Sequence, residues 1–226
     1  MPTTLITGAN RGIGFNLARL YAADGWKVIG TARAPDQADE LANLPGDVSI
    51  EALEVTDEHA ITALADRLDG VAIDVLYNNA GVIGAGSASF GSIDPADLRA
   101  TLMINTFAPI LIAQALLPNV RAGGHKKMAF LSSLLGSIEL CGGGRYSYGP
   151  SKAGLNMACK AMAGDLRRDG ITVLPLHPGH VATDMGGAGA PVSPDASARG
   201  LRHLVDSATL ADSGRFRDYK GEPLPW

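Results

Sequence analysis

Cysteine is scarce in this chain. Two residues, Cys141 and Cys159, among 226 exclude the disulfide framework of a small secreted domain, so free thiols in a reducing compartment are expected. Aromatic side chains make up 5%, so the core has to be built mainly from aliphatic residues. There is no run of Lys and Arg, and the net charge of −4 gives no general attraction for nucleic acid. The five histidines form no ligand-spaced cluster, and no metal site is expected. Long hydrophobic runs are also missing. The longest apolar stretch, 107–117, contains Pro109 and Gln114 and is too short to span a bilayer, so no membrane partner is expected. Met1-Pro2-Thr3 leads straight into a strand-like segment without the charged and apolar regions of a signal peptide. A cytoplasmic protein is the expectation.

What the chain has in quantity is glycine, 28 residues, against 46% hydrophobic content. One large core suits that length and composition. The glycines gather first in Thr7-Gly8-Ala9-Asn10-Arg11-Gly12-Ile13-Gly14, between the apolar pair Leu5-Ile6 and a helical pattern of Ile13, Leu17, Leu20 and Tyr21. A glycine turn between a first strand and a first helix leaves backbone N–H groups free at the positive end of the helix. That end suits the pyrophosphate of a dinucleotide. The spacing is G-x-x-x-G-x-G. Gly8 suits the tight turn, Gly12 the approach of phosphate, and Gly14 close helix–strand packing.

Strand and helix signals then alternate, as in a parallel α/β sheet. Strands are expected at 5–6, 27–31, 49–55, 73–77, 128–131, 171–176 and 216–219. Helices are expected near 35–43, after a Thr56 cap, from Asp94-Pro95 to about 120 with a bend at Pro109, at 148–169 and at 195–205. No repeat or linker divides the chain, so a single domain over 1–226 is expected. In a doubly wound sheet of this kind, ligands sit at the carboxyl ends of strands. Asn78-Asn79-Ala80-Gly81, Ser132-Ser133, Tyr148 with Lys152, and Pro178-Gly179 all fall there. Tyr148 and Lys152, four apart, share one helical face. An ammonium beside a phenol is expected to lower its pKa and make it a general acid or base near neutral pH. Ser147 as helix cap would place Pro150 harmlessly in the first turn.

Taken together and in order, these pieces resemble the short-chain dehydrogenase/reductase family over essentially the whole length. A closer similarity, to its C-factor and sniffer-type carbonyl reductase branch, rests on 132–138, on Thr183-Asp184-Met185-Gly186-Gly187, on the glycine-bearing loop before Tyr148, and on Tyr219-x-Gly221-x-Pro223-Leu224-Pro225-Trp226. The resemblance implies a single-domain Rossmann fold with a mostly parallel seven-stranded sheet. It implies that Ser133 orients a substrate carbonyl, Tyr148 exchanges the proton, Lys152 holds the nicotinamide ribose, and Asn105 supports a water-linked relay. Implied cofactor contacts are Gly8, Asn10, Arg11, Gly12, Ile13 and Gly14 in the glycine turn, then Arg33 and Val55. Asn79, Ala80 and Gly81 follow, together with Tyr148 and Lys152, and then Pro178, Gly179, Val181 and Thr183. Glu54 stands where many relatives place an aspartate against adenine.

The end of the second strand indicates the cofactor. An NAD enzyme places an acidic residue there, whereas here Ala32 and Arg33 occupy it, with Arg11 in the glycine turn. Two guanidinium groups suit the 2′-phosphate of NADP(H). The expected activity is NADPH-dependent reduction of a ketone or aldehyde. The alternative is a signalling protein of the C-factor kind that binds NADP(H) with little turnover. A sugar-nucleotide epimerase would need a longer chain for its substrate domain. The loops 82–92, 142–144 and 186–193 are expected to shape the substrate pocket. The helices near 95–120 and 148–169, apolar on more than one face, are expected to form a homodimer or homotetramer.

Overall fold

The computed structural model describes residues 1–85 and 89–226; the middle of the 82–92 loop lies outside the described residues. In chain order the elements are β1 (Thr3–Ile6), α1 (Gly12–Ala23), β2 (Lys27–Ala32), α2 (Asp39–Ala42), β3 (Val48–Ala52), α3 (Glu58–Arg67) and β4 (Val75–Asn78). There follow α4 (Pro95–Leu102), α5 (Ala108–Ala115), α6 (Leu117–Ala122), β5 (Lys127–Leu131), α7 (Tyr148–Asp165), β6 (Thr172–His177), α8 (Pro194–Ser207) and β7 (Arg217–Asp218). The seven strands form one sheet in the order β3-β2-β1-β4-β5-β6-β7. Every neighbouring pair runs parallel.

Alternation along each strand divides the core into two layers. Ile6, Tyr77, Ala129, Leu131 and Leu174 face one side, packed by Leu17 and Tyr21 of α1, Leu41 of α2 and Leu201 of α8. Leu5, Leu76, Met128, Phe130 and Val173 face the other, packed by Leu64 of α3, Ile112 of α5 and Leu155 and Cys159 of α7. The order reverses between β1 and β4, so a crevice opens there at the carboxyl ends of the strands.

The local structure departs from the sequence expectation at several helices. The segment near 35–43 is a 3₁₀ turn at Pro35–Gln37 and a four-residue α2, too short for a full amphipathic face. Asp57, not Thr56, caps α3, accepting the His59 amide at 2.9 Å, while Thr56 is turned toward Glu54. The helix expected from 95 to 120 contains a π turn at Met103–Phe107 and breaks between Ala115 and Leu117. Pro109 has no N–H for the Asn105 carbonyl one turn earlier, and the wider turn accommodates that missing rung. The helix therefore runs on through the proline. Its 21 residues, Pro95–Ala115, are long and apolar enough to cross a membrane by length and composition, although the 107–117 stretch is not. Ile112 and Ala113 are in the core, while Phe107 is 51% exposed. The expected helix at 148–169 is α-helical to Asp165 and tightens to 3₁₀ over Leu166–Asp169.

Candidate active site

A cleft of about 790 Å³ runs along the carboxyl edge of the sheet. Its floor is the glycine turn. Gly12 has φ 57°, and a β-carbon there would stand 3.3 Å from the Thr183 methyl, so the turn and the 181–185 segment approach as only glycine permits. Gly14 does not line the cleft; a β-carbon on it would fall 2.4 Å from the Gly8 carbonyl oxygen. Its role is to let α1 pack under the turn. Asn79, just beyond the end of β4, fastens the same turn. Its amide donates to the Thr7 and Gly8 carbonyls at 2.8 and 3.0 Å, while the Thr7 hydroxyl accepts the Asn79 and Ala80 amides, both at 3.0 Å.

The mouth of α1 is left open to an anion. Arg11, at the N-cap, has an extended backbone and makes no side-chain cap, and the first turn carries no acidic residue. The free N–H groups and the helix dipole therefore face the cleft without an internal counter-charge. Arg33 lines the cleft, exposed, and forms no ion pair among the described residues. Arg11 behaves differently from expectation. Its guanidinium reaches across to Asp184 at 2.6 Å, both side chains largely exposed, so it starts out paired. Asp184 was given no role from the sequence because its partner lies 173 positions away.

The other end of the cleft holds the titratable groups. Lys152 is buried; its Nζ donates to the Leu131 carbonyl at 2.7 Å and lies 5.8 Å from the centre of the Tyr148 ring. Burial lowers its pKa to about 8, against a raising effect of the neighbouring Cys159 thiol. Burial also pushes the Tyr148 phenol up, with a hydrogen bond from Ser133 and the charge of Arg145 pulling the other way. This reverses the lowered pKa expected from the i, i+4 spacing. Desolvation of the phenol outweighs the Ser133 and Arg145 contributions, and the Lys152 ammonium is turned to the Leu131 carbonyl. Ser133 accepts the Leu135 amide at 3.1 Å, which leaves its proton available to donate.

Asn105 lies behind the cleft, fully buried in the π turn. Its Oδ1 accepts the Val82 amide at 2.9 Å, and its Nδ2 donates to the Val82 carbonyl and the Ser151 hydroxyl. Of the remaining expected contacts, Asn10, Ile13, Val55, Ala80, Gly81, Pro178 and Thr183 line the cleft. Gly179 and Val181 do not. Gly179 packs against Tyr219, and Val181 is buried and bridges to Val192. No motif marks Thr31, whose hydroxyl accepts the Gly8 amide at 3.3 Å. Only the β1–β2 register brings Thr31 beside the turn.

This arrangement agrees with the sequence relationships. The short chain dehydrogenase profile matches residues 2–191. The chain belongs to the short-chain dehydrogenase family. Among curated relatives, the C-signal of Myxococcus xanthus is 43% identical over 155 residues, covering 68% of this chain and 93% of that protein. Among solved structures, the carbonyl reductase Sniffer of D. melanogaster superposes with a TM-score of 0.94 at 33% identity, each chain covered in full. The NADPH-bound carbonyl reductase from chicken fatty liver gives 0.90 at 33% identity, covering 100% of this chain and 99% of that one. This family member is thus an oxidoreductase by descent.

Proposed function

We propose that this dehydrogenase uses NADPH to reduce a ketone or aldehyde to the alcohol. The observation that carries the reading is one continuous cleft with an uncapped helix N-terminus and Arg33 at one end and Tyr148 and Lys152 at the other. The residues present fit NADP(H): the α1 amides suit the diphosphate and Arg33 the 2′-phosphate. The two carbonyl reductases, one of them NADPH-bound, support the same choice. When bound, NADPH supplies the hydride.

The chain's own part is to bind, orient and move a proton. Tyr148 donates its phenolic proton to the carbonyl oxygen as negative charge develops there. For that direction the neutral phenol is the competent form, and burial keeps Tyr148 neutral at physiological pH. Ser133 turns its hydroxyl proton to the same oxygen. Lys152 holds ribose hydroxyls and supplies positive charge behind the phenol. The Asn105 side chain is committed to Val82 and Ser151, so its main-chain carbonyl is the group left for a relay water. The usual helical partner of that carbonyl is Pro109, which has no N–H.

The likeness to C-signal favours a second reading, a regulatory protein that binds NADP(H) with little turnover. Retention of Ser133, Tyr148 and Lys152 together argues against it. Oxidation of NADPH over a panel of aldehydes, ketones and quinones separates the two. Tyr148→Phe is expected to lose about 10²–10⁴ in kcat and still bind NADPH, as for removal of a positioned acid. Tyr146→Phe is expected to keep most turnover, because Tyr146 packs at a tilt against Phe90, ring centres 5.8 Å apart, and has Pro150 rather than a cation four residues on. Near-normal kcat in Tyr148→Phe would overturn the mechanism.

A further inference from the structure

The start of α7 lacks a cap of its own. Ser147 occupies the cap position, but with φ −83° and ψ −48° it is already helical, and its side chain caps nothing. That hydroxyl instead donates to Asp97 Oδ2 on α4 at 2.5 Å. The other oxygen of Asp97 accepts the Ala85 amide at 2.8 Å. Gly84 makes this approach possible. With φ 73°, a β-carbon there would lie 2.6 Å from the Thr101 hydroxyl and 2.9 Å from Asp97 Oδ1. Asp97 thus grips two segments that flank the site.

Asp97, Thr101 and Asn105 are spaced four apart and share one face of the helix. Ser147 and Ser151 share one face of α7, and Tyr148 and Lys152 directly follow them. Asn105 holds Ser151 at 3.0 Å, and the Thr106 hydroxyl holds the Ser151 carbonyl at 2.7 Å. The Lys152 end of the catalytic face is therefore fixed by Asn105 and Thr106, and the Tyr148 end by Asp97. On the loop side the same helix holds Val82 through Asn105 and Ala85 through Asp97.

We propose that Asp97 is a positioning residue for the Tyr148 site: through Ser147 it sets the first turn of α7, and through the Ala85 amide it locks that turn to the loop after β4. The assignment rests on Tyr148 being the proton donor. Hydrogen bonds from Ser147 and the Ala85 amide hold the Asp97 carboxyl below its ordinary value. The carboxylate is therefore ionised, and a strong acceptor, throughout the neutral range. No arginine or lysine pairs with it among the described residues. Without this grip, α7 stays fixed at Ser151, whose hydroxyl also holds the Tyr148 carbonyl at 2.7 Å, while the backbone leading into Tyr148 loses its tie to α4. A misplacement of about 1 Å at a reacting group can cost about 10²-fold in rate.

The test compares Asp97→Ala, Asp97→Asn, Ser147→Ala and the Asp97→Ala/Ser147→Ala double variant with the wild type and Tyr148→Phe. Turnover is measured on the best carbonyl substrate of the NADPH panel and expressed per NADPH-binding site titrated by fluorescence. A merely structural role lowers the number of sites or the melting temperature but leaves kcat per site unchanged. The expectation is a tenfold or greater fall in kcat per site for Asp97→Ala and Ser147→Ala, with NADPH affinity within about threefold of wild type. The double variant should fall no further than Asp97→Ala alone, because Ser147→Ala removes a hydrogen bond that Asp97→Ala has already removed. Should Asp97→Ala not fold, Asp97→Asn and Ser147→Ala decide the matter, each being expected to lose turnover. If kcat per site stays within twofold of wild type, or the two losses multiply, the assignment is overturned while the Tyr148 mechanism stands. If Tyr148→Phe retains turnover, both fall.

Discussion

Burying an ammonium without a carboxylate partner is costly, and Lys152 has none among the described residues, its Nζ resting on the Leu131 carbonyl at 2.7 Å. Its folded pKa, about 8, lies below the ordinary 10.5. Between those values the unfolded chain binds the extra proton, so the stability term from Lys152 rises with pH. Below about pH 8 both states are protonated and the penalty is fully present. Lys152→Met is therefore expected to stabilise the cofactor-free protein near pH 7, by on the order of 1–3 kcal/mol. The gain should shrink as pH climbs from 8 toward 10.5. Denaturant melts of both proteins at pH 7 and pH 10 check the sign, and a gain that grows with pH refutes it. At the other end of the cleft, Arg33 and Arg11 are not equivalent. Arg33 is free for a 2′-phosphate, whereas Arg11 must first leave Asp184. Arg33→Ala is expected to weaken NADPH binding by about 1.5–3 kcal/mol, as for a charged hydrogen bond, and to leave NADH nearly unchanged. Arg11→Ala should cost less. Equal losses for both cofactors in Arg33→Ala would remove the assignment.

At the scale of elements, much was legible because the signals are local. The glycine turn, the Asp94-Pro95 start and the alternation of strand and helix patterns each depend on a few adjacent residues. The seven strands all stand within a few residues of where periodicity puts them. The π turn was not legible as such; Pro109 announced only a bend, because the accommodation involves Asn105 and the elements packed on it. Ser147 reads as a cap in sequence, since serine favours that position. Asp97, 50 residues away, takes its hydroxyl instead. The same logic separates the site residues. Motif residues such as Gly12, Asn79, Tyr148 and Lys152 are found from their neighbours in sequence. Asp184, Thr31 and Asp97 act through partners that only strand order and helix packing bring near. Tyr148 belongs to both groups: its spacing from Lys152 is local, but its pKa direction depends on burial.

For the whole molecule, the question is what covers the outer face of the helices that carry Asn105 and Tyr148. Met103 and Phe107, one turn apart, are 39% and 51% exposed, and Met157 on α7 is 70% exposed. The two helices pack side by side through Asn105, Thr106 and Ser151. Each helix thus leaves large apolar side chains exposed, and exposed apolar surface on such a helix pair can mark an interface. A second copy of the chain can cover it by two-fold symmetry, helix pair on helix pair, without any new element. We therefore expect a homodimer at micromolar concentration by size-exclusion chromatography with light scattering. Phe107→Glu combined with Met157→Glu should yield monomers that still bind NADPH, since neither side chain lines the cleft. The Pro95–Ala115 helix also passes the length and composition test for a membrane span, so lipid vesicles form the control. Two features argue for a protein partner over lipid: Ile112 and Ala113 of the same helix are committed to the core, and Asn105 is locked into hydrogen bonds. Insertion would have to tear out both. A monomeric wild type, or one that sediments with vesicles, would rule the dimer out.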